Sequence, residues 1–264
     1  METDLTSKKP LVSVIMPAYN AEAFIEEAIL SVLSQSVSDL ELLVIDDCSQ
    51  DHTRSVVSAL AEKDTRIQLL VNEENMGVAQ TRNRGLQLCS GKYVALLDSD
   101  DYWKPQLLEK MLGRAEETGA DIVYCSYELV DEQGRKCCSD FIVPEATDFQ
   151  SSIVRSVITC SSVLITGALA KECQFPTNMY HEDIALWFRL LKEGKTARGV
   201  TDVLMSYRQR ADSRSAGKLK SACRRWAIYR KHLKMPLGKS LGALLRYGYY
   251  GILKYRRVNE NAES

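Results

Sequence analysis

Three carboxylates stand within four residues at Asp98-Ser-Asp-Asp101, straight after the apolar run Tyr93 to Leu97. Carboxylates so close repel one another, and at the edge of a packed sheet they need a cation or hydrogen-bond donors. A divalent ion shared with diphosphate oxygens is a natural partner, because magnesium and manganese take oxygen ligands, usually one or two carboxylates plus phosphate and water. Read alone, the cluster could equally be a solvated acidic turn that caps the next helix. Asp46-Asp47-Cys-Ser-Gln-Asp51 also follows an apolar run. It fits a carboxylate accepting the imide N–H of a pyrimidine base, or a turn built on Asx hydrogen bonds. Two further clusters are Pro17-Ala-Tyr-Asn20, whose Tyr19 is either a base-stacking or a half-buried loop aromatic, and Asn75 to Leu86, whose Arg82 is either a ligand or a helix-surface charge. Some eighty residues on, His181-Glu-Asp183 opens a helical pattern. An acid there is either a favourable cap or a general base.

The elements that must position these clusters alternate. Apolar runs of strand length at Leu11–Met16, Glu41–Ile45, Ile67–Val71, Tyr93–Leu97 and Asp121–Tyr124 are separated by helical patterns. These cover about Ala21–Gln35 with Asn20 as cap, Thr53–Glu62, Val78–Leu88, and a stretch with Pro105 in its first turn running to Thr118. Strands alternating with helices predict an α/β fold, a mostly parallel central sheet covered on both faces. In such sheets ligands bind at the carboxyl ends of the strands, where the four polar clusters lie. The pattern loosens from Tyr127 to Gly199, apart from a hairpin turn at Asp131-Glu-Gln-Gly134 and a helix over Glu182–Lys192. Two basic helical stretches after Ser215 are split near Pro236 and Gly238.

Taken in order, P-A-Y-N, I-D-D-x-S-x-D-x-T, N-x-G-x-x-x-x-R-N-x-G-L and L-D-S-D-D resemble the family 2 glycosyltransferases, which have the GT-A fold. The resemblance covers Val12 to about Ser215. It implies an inverting, metal-dependent hexosyl transfer from a nucleotide diphosphate sugar, UDP being favoured, to a hydroxyl of a glycan or lipid-linked acceptor. By matching position, Pro17 and Tyr19 lie at the nucleoside, Asp47 contacts the base and Arg82 helps fix it. Asp98 lies near the ribose, Asp100 holds Mn2+ or Mg2+, and Asp101 lies near the donor sugar. Asp183 matches the family's catalytic base, with Glu182 beside it at the substrate. Tyr207-Arg-Gln-Arg210 and Ser213-x-Ser215 resemble an element in which a His approaches the metal or diphosphate. Arg210 stands in its place; it cannot ligate a metal but can neutralise a departing diphosphate. Cys48 replaces a usual Gly, and Gln80-Thr81 replace small residues before Arg82.

Composition sets the remaining bounds. The chain has 264 residues, 45% hydrophobic and 26% charged, with a net charge of −1 that marks no nucleic-acid binder. Eight cysteines lie without a C-x-x-C pair, as expected of reduced thiols and not of a zinc site. No run reaches the roughly 18 apolar residues of a membrane span, and no signal-peptide pattern precedes Pro10. From Lys218 to Arg257 there are about a dozen Lys and Arg and no acid. Leu241, Leu244, Leu245, Tyr249, Ile252 and Leu253 interleave with Lys239, Arg246 and Lys254 there. The expected organisation is a polar segment 1–10, a catalytic domain 11–215 and a basic amphipathic tail 216–264. That tail suits an anionic membrane surface or packing on the domain. The expected setting is cell-surface polysaccharide synthesis (O-antigen, capsule or lipopolysaccharide) on the cytoplasmic side, peripheral at the inner face of the plasma membrane. Rival readings are a processive polysaccharide synthase and an inactive nucleotide-sugar binder. The first would carry Q-x-x-R-W and membrane spans; only Arg225-Trp226 match, with Ala222 where Gln belongs.

Overall fold

The computed structural model describes residues 9–210 and 218–260. In chain order the main elements are β1 (Val12–Ala18), α1 (Ile25–Leu33), β2 (Leu40–Asp46), α2 (Thr53–Ala61), β3 (Ile67–Val71), α3 (Val78–Leu88), β4 (Tyr93–Leu96), β5 (Tyr102–Trp103), α4 (Leu107–Thr118) and β6 (Ile122–Val130). Then come β7 (Ala146–Thr147), α5 (Phe149–Ser152), β8 (Val163–Thr166), α6 (Gly167–Glu172), α7 (Glu182–Lys192), β9 (Ala197–Arg208), α8 (Lys218–Ala227) and α9 (Leu237–Glu260). The described residues form a nine-stranded sheet in the order β3-β2-β1-β4-β8-β6-β9-β5, with β7 on β9. β1 to β4 are parallel neighbours; β8 runs against β4 and β6, and β6 and β9 are parallel again. The predicted α/β architecture with a mostly parallel sheet is therefore present.

The central strands are apolar on both faces because helices cover both. β1 is buried along its whole length. Val14 and Met16 face one core with α1 and α4, while Ile15 faces the other with α3 and α7. Continuous burial on both faces is what a parallel sheet between helix layers requires. α3 lies unusually close to this sheet: a Cβ on Gly85 would come 2.4 Å from Ile15 Cγ2. That close approach sets the depth at which Arg82, one turn earlier, reaches the strand ends.

Several expectations change. The helix after β1 starts at Ile25 rather than Ala21, and Asn20 does not cap it. Asn20 adopts a left-handed φ of 48° and its Oδ1 accepts the Gln50 N–H, so it joins two loops instead. β8 and β9 were not legible as strands. β8 has four residues, and β9 bends where its pairing with β6 slips between Cys125 and Tyr127. The hairpin at Asp131–Gly134 is present, with Gly134 N donating to Asp131 O.

The C-terminal helices pack on the domain. A five-residue π-helical turn (Ile228–His232) separates α8 from Leu233. Ile228, Tyr229 and Leu233 bury against Phe188 and Ala185 of α7. Leu219, Ala222, Trp226, Tyr229 and Leu233 share helical spacing; Tyr229 and Leu233 are buried, Trp226 and Ala222 half-buried, and Leu219 lies outside the residues whose side chains are described. Among the described residues no helix is long and apolar enough to cross a membrane.

Candidate active site

The loops at the carboxyl ends of β1, β2 and β3 are stitched to one another by side chains that accept backbone N–H groups. Asn20 N donates to Ser49 Oγ, Ala21 N to Thr53 Oγ1 and Glu22 N to Asp51 Oδ2. The buried Asp47 carboxylate accepts Met76 N at 2.9 Å, Gly77 N at 2.8 Å and Asn72 Nδ2 at 2.7 Å. Gly77, at a φ of 82° that favours glycine, turns the chain into α3 directly after these two successive N–H groups. The neighbouring Cys48 has a φ of 65°, a left-handed conformation that accounts for glycine being usual at that position. Asp46, fully buried, accepts Ser49 N and pairs with Arg54 Nε at 2.6 Å.

An open cleft of about 380 Å3 lies at the ends of β1, β4 and β9. It is lined by Tyr19, Arg82, Asp98, Asp100, Asp101, Glu182, Asp183 and Arg210, eight of the ten residues expected at a site. Tyr19 and Arg210, 191 positions apart in the chain, therefore line one cleft. Pro17 and Asp47 do not line it. Pro17 is buried in β1 in register with Ile45. Asp47 lies behind the cleft, its oxygens engaged in the clamp. Ser213 and Ser215 lie outside the described residues.

Arg82 joins the two sides. Its guanidinium donates to Asp98 Oδ1 at 2.6 Å and to Glu182 Oε1 at 3.1 Å, and it lies over the Phe175 ring. It is 5% exposed, so it is a buried cation and not a surface charge. The two carboxylates hold its proton firmly against the burial that would otherwise loosen it. Asp101, also buried, accepts Arg208 N at 2.8 Å; burial and the neighbouring Asp100 and Asp98 push its carboxyl well above the usual range. Asp100 is half-buried and shifted in the same direction, by burial first and then by Asp98. Arg210 Nη1 stands 3.6 Å from its Oδ2.

α7 begins at His181, itself left-handed at φ 60°, and its first turn aims Glu182 and Asp183 at the cleft. A helix start by itself favours an ionised carboxylate at Asp183. The backbone N–H of Ile184 and the Arg82 charge do act that way, but burial and Glu182 outweigh them. The Asp183 carboxyl is pushed up to about 6. A carboxylate with that proton affinity is ionised at neutral pH and still basic enough to take a proton.

Tyr180, His181, Tyr207, Arg208 and Arg224 complete the lining. His181, Tyr207 and Arg208 sit inside motifs visible in the sequence. Arg208 is a strut: it donates to Asp100 O, Asp131 O, Glu132 O and the Glu27 carboxylate, and lies between the rings of Phe24 and Tyr102. Arg224 had no local signal, since only the fold of α8 brings it there.

The cleft offers oxygen donors to a metal, Asp100 and next to it Asp98. Among the described residues no cage of three or more ligating side chains converges. Asp100, raised in proton affinity by burial and by its neighbour Asp98, suits a hard cation that takes its other ligands from phosphate and water.

The model of the family "Glycosyl transferase family 2" matches residues 13–137. The chain is 36% identical to a putative teichuronic acid biosynthesis glycosyltransferase, TuaG of Bacillus subtilis, over 95% of this chain and 99% of that protein. It is 35% identical to the Escherichia coli UDP-Glc:alpha-D-GlcNAc-diphosphoundecaprenol beta-1,3-glucosyltransferase WfgD, over 93% and 95%. Among solved structures, Staphylococcus aureus TarS in complex with UDP-GlcNAc superposes with a TM-score of 0.70 at 22% identity, over 89% of this chain and 71% of that one. The mannosyltransferase PcManGT of Pyrobaculum calidifontis, in complex with GDP-Man and Mn2+, gives 0.68 at 21% identity, over 92% and 70%. Identity of 35–36% to TuaG and WfgD over nearly the whole of each chain, with a family model that matches the part carrying the acidic motifs, makes the chain a glycosyltransferase of family 2.

Proposed function

We propose that this enzyme transfers a sugar from a UDP-sugar to a hydroxyl of a lipid-linked glycan, with inversion, in cell-surface polysaccharide synthesis. The observation that carries the reading is Asp183: a carboxyl pushed up to about 6, at a helix start, in one cleft with Asp98 and Asp100. The relatives that name a polysaccharide or a diphosphoundecaprenol acceptor support the setting.

The uridine lies against Tyr19, the exposed aromatic two residues after Pro17, and the Asp47 clamp holds the loop that flanks the base. Arg82 and Asp98 fix the ribose side, and Asp101 shapes the floor under the sugar. Asp183 accepts the acceptor's hydroxyl proton as that oxygen bonds to the anomeric carbon. The bond from this carbon to the diphosphate oxygen breaks, the electron pair leaves with UDP, and the configuration inverts. Glu182 stays paired with Arg82 and holds the base in place. Asp100 is the residue that would hold Mn2+ or Mg2+, and such an ion supplies charge neutralisation of the diphosphate. Arg210, one ion pair away, turns from Asp100 to the same phosphates. The basic tail places the enzyme peripherally at the inner face of the plasma membrane.

The test is turnover with UDP-sugars and a diphosphate-linked lipid acceptor, with the anomeric configuration of the product read by NMR. An inverted product formed only with divalent metal is expected. Retention, or no transfer from any nucleotide sugar, overturns the reading.

A further inference from the structure

The cleft has two ends. One is built from the loops after β1 and β4. The other is built from Tyr180, His181 and Asp183 at the start of α7, and from Arg224 of α8. At this second end the Arg224 guanidinium lies 4.3 Å from the centroid of the Tyr180 ring, and that ring is 55% exposed.

The position of Arg224 is fixed by its neighbour. Arg225 is 5% exposed; it donates to Ser156 Oγ at 2.7 Å and lies over the rings of Phe188 and Tyr247. The Tyr229 hydroxyl donates to Ile153 O one turn later. These contacts pin the rotation of α8 about its axis, so the adjoining Arg224 faces the cleft. Here the chain brings a guanidinium from a packed helix to the mouth of a site whose other walls are rich in carboxylates.

We infer that Arg224 and Tyr180 form the acceptor subsite and that its ligand is the diphosphate of a lipid-linked sugar, with the ring of Tyr180 under the sugar and the guanidinium on the phosphates. An aromatic face takes the apolar side of a pyranose, and a planar guanidinium takes phosphate oxygens in pairs. The subsite lies next to Asp183, as it must if the acceptor's hydroxyl is to meet its base. It also lies on α8, which is joined through residues 228–236 to the basic, amphipathic α9, so a lipid-borne substrate would reach it from the side of a membrane. This inference rests on the glycosyl-transfer reading and adds the chemistry of the acceptor.

The experiment uses the full chain saturated with UDP and manganese, titrated with geranyl diphosphate and, as control, geraniol. Wild type should bind the diphosphate and not the alcohol. Arg224→Ala should weaken diphosphate binding about tenfold or more, as loss of a charge-assisted pair does, with Arg224→Lys between the two. UDP affinity in the absence of lipid should stay within about twofold. That separate readout tells a failure of the subsite from a failure of the donor site. Equal diphosphate affinity in wild type and Arg224→Ala, no binding by wild type, or displacement of UDP by geranyl diphosphate would each overturn it. Should Arg224→Ala lower the melting temperature, Tyr180→Ala replaces it. The exposed ring can be removed without opening the core, and its loss should weaken binding of a GlcNAc-diphosphate lipid more than of geranyl diphosphate.

Discussion

The proposed donor and acceptor ends of this cleft are built in different ways. At the donor end, loops after successive parallel strands are tied by side chains that accept neighbouring backbone N–H groups. Asp47 alone takes three donors, and the partners are at most about thirty residues apart. At the acceptor end, α7 and the region of α8 come together from distant parts of the chain. They are held by buried aromatics and guanidinium groups, such as Phe188 on Tyr229 and Arg225 over Phe188. Hydrogen bonds to backbone fix geometry locally and survive changes elsewhere; packing over long loops does not. The loops at the strand ends are therefore fixed locally before any substrate arrives, whereas the place of Asp183 depends on the integrity of the whole domain.

The sharpest way to break this comparison is at Asp100. Asp100→Ala should abolish metal-dependent donor binding and transfer, while the fold persists because a carboxyl disfavoured by burial and by Asp98 is removed. Isothermal titration with UDP and manganese, alongside turnover, reads both. Unchanged activity, or full wild-type activity in excess EDTA, contradicts the metal assignment.

Asp183→Asn is next. Donor affinity should be retained, and transfer should fall roughly 10²-fold or more, the usual scale for loss of a general base. Wild-type kcat/KM should rise with pH through about 6 and then level. Stability moves the other way. The folded state raises this carboxyl above its ordinary value, so it binds the proton more tightly than the unfolded chain. Its contribution is fully present below the unfolded pKa and is lost as pH rises through about 6. The Asn variant should thus be more stable than wild type at pH 8, by about 1–3 kcal/mol, with the gap closing toward pH 4. A variant that loses donor binding while each bound complex reacts normally makes Asp183 structural.

Arg82 is where the two ends meet, because it pairs with Asp98 of one and Glu182 of the other. Arg82→Met keeps the buried stem but strands two carboxylates. It should cost about 3 kcal/mol or more in denaturant unfolding, and lower donor affinity and turnover together. A loss confined to donor affinity would mean that the ends are independent.

The same division explains what could be read from sequence. The donor side was legible because each of its strands, helices and loops carries its own signal. α2, α3 and the parallel strands fall within a residue or two of their expected bounds, and Asp98 and Asp100 follow a strand as expected. Asn20 was misread as a cap because its side chain serves a loop thirty residues away, which no local pattern reveals. Asp47 was read as facing the base. Its three hydrogen-bond donors come from another loop, and one is the N–H of Gly77, which has a positive φ. β8 and β9 escaped notice because a four-residue strand and a slipped one lack clean periodicity. Arg224 is the extreme case: a helical arginine in a basic tail reads as a solvated charge until α8 is seen packed on α7.

The smallest expected effect concerns the outer face of that tail. Leu237, Leu241, Leu245 and Tyr249 recur every four residues along α9 and are 51–67% exposed, while Ser240 and Ala243 on the other side bury against the domain. Packing and an exposed apolar stripe therefore coexist on one helix. Lys239 and Arg246 flank the stripe in a stretch without acids, so it suits the interface of an anionic bilayer. Each basic group there contributes on the order of 1 kcal/mol and the leucines a further burial term. Removing the tail after Ser215 would be a poor test, since it would strip Ile228, Tyr229 and Leu233 from Phe188 and open the core. Leu241→Asp with Leu245→Asp leaves that packing intact. Wild type should co-sediment with phosphatidylglycerol vesicles at low salt and less so at high salt, and the double variant should lose several-fold in recovery at an unchanged melting temperature. Equal recovery on neutral and anionic vesicles, or none on either, would mean that α9 serves only to brace α7 and to hold α8, with Arg224, against the cleft.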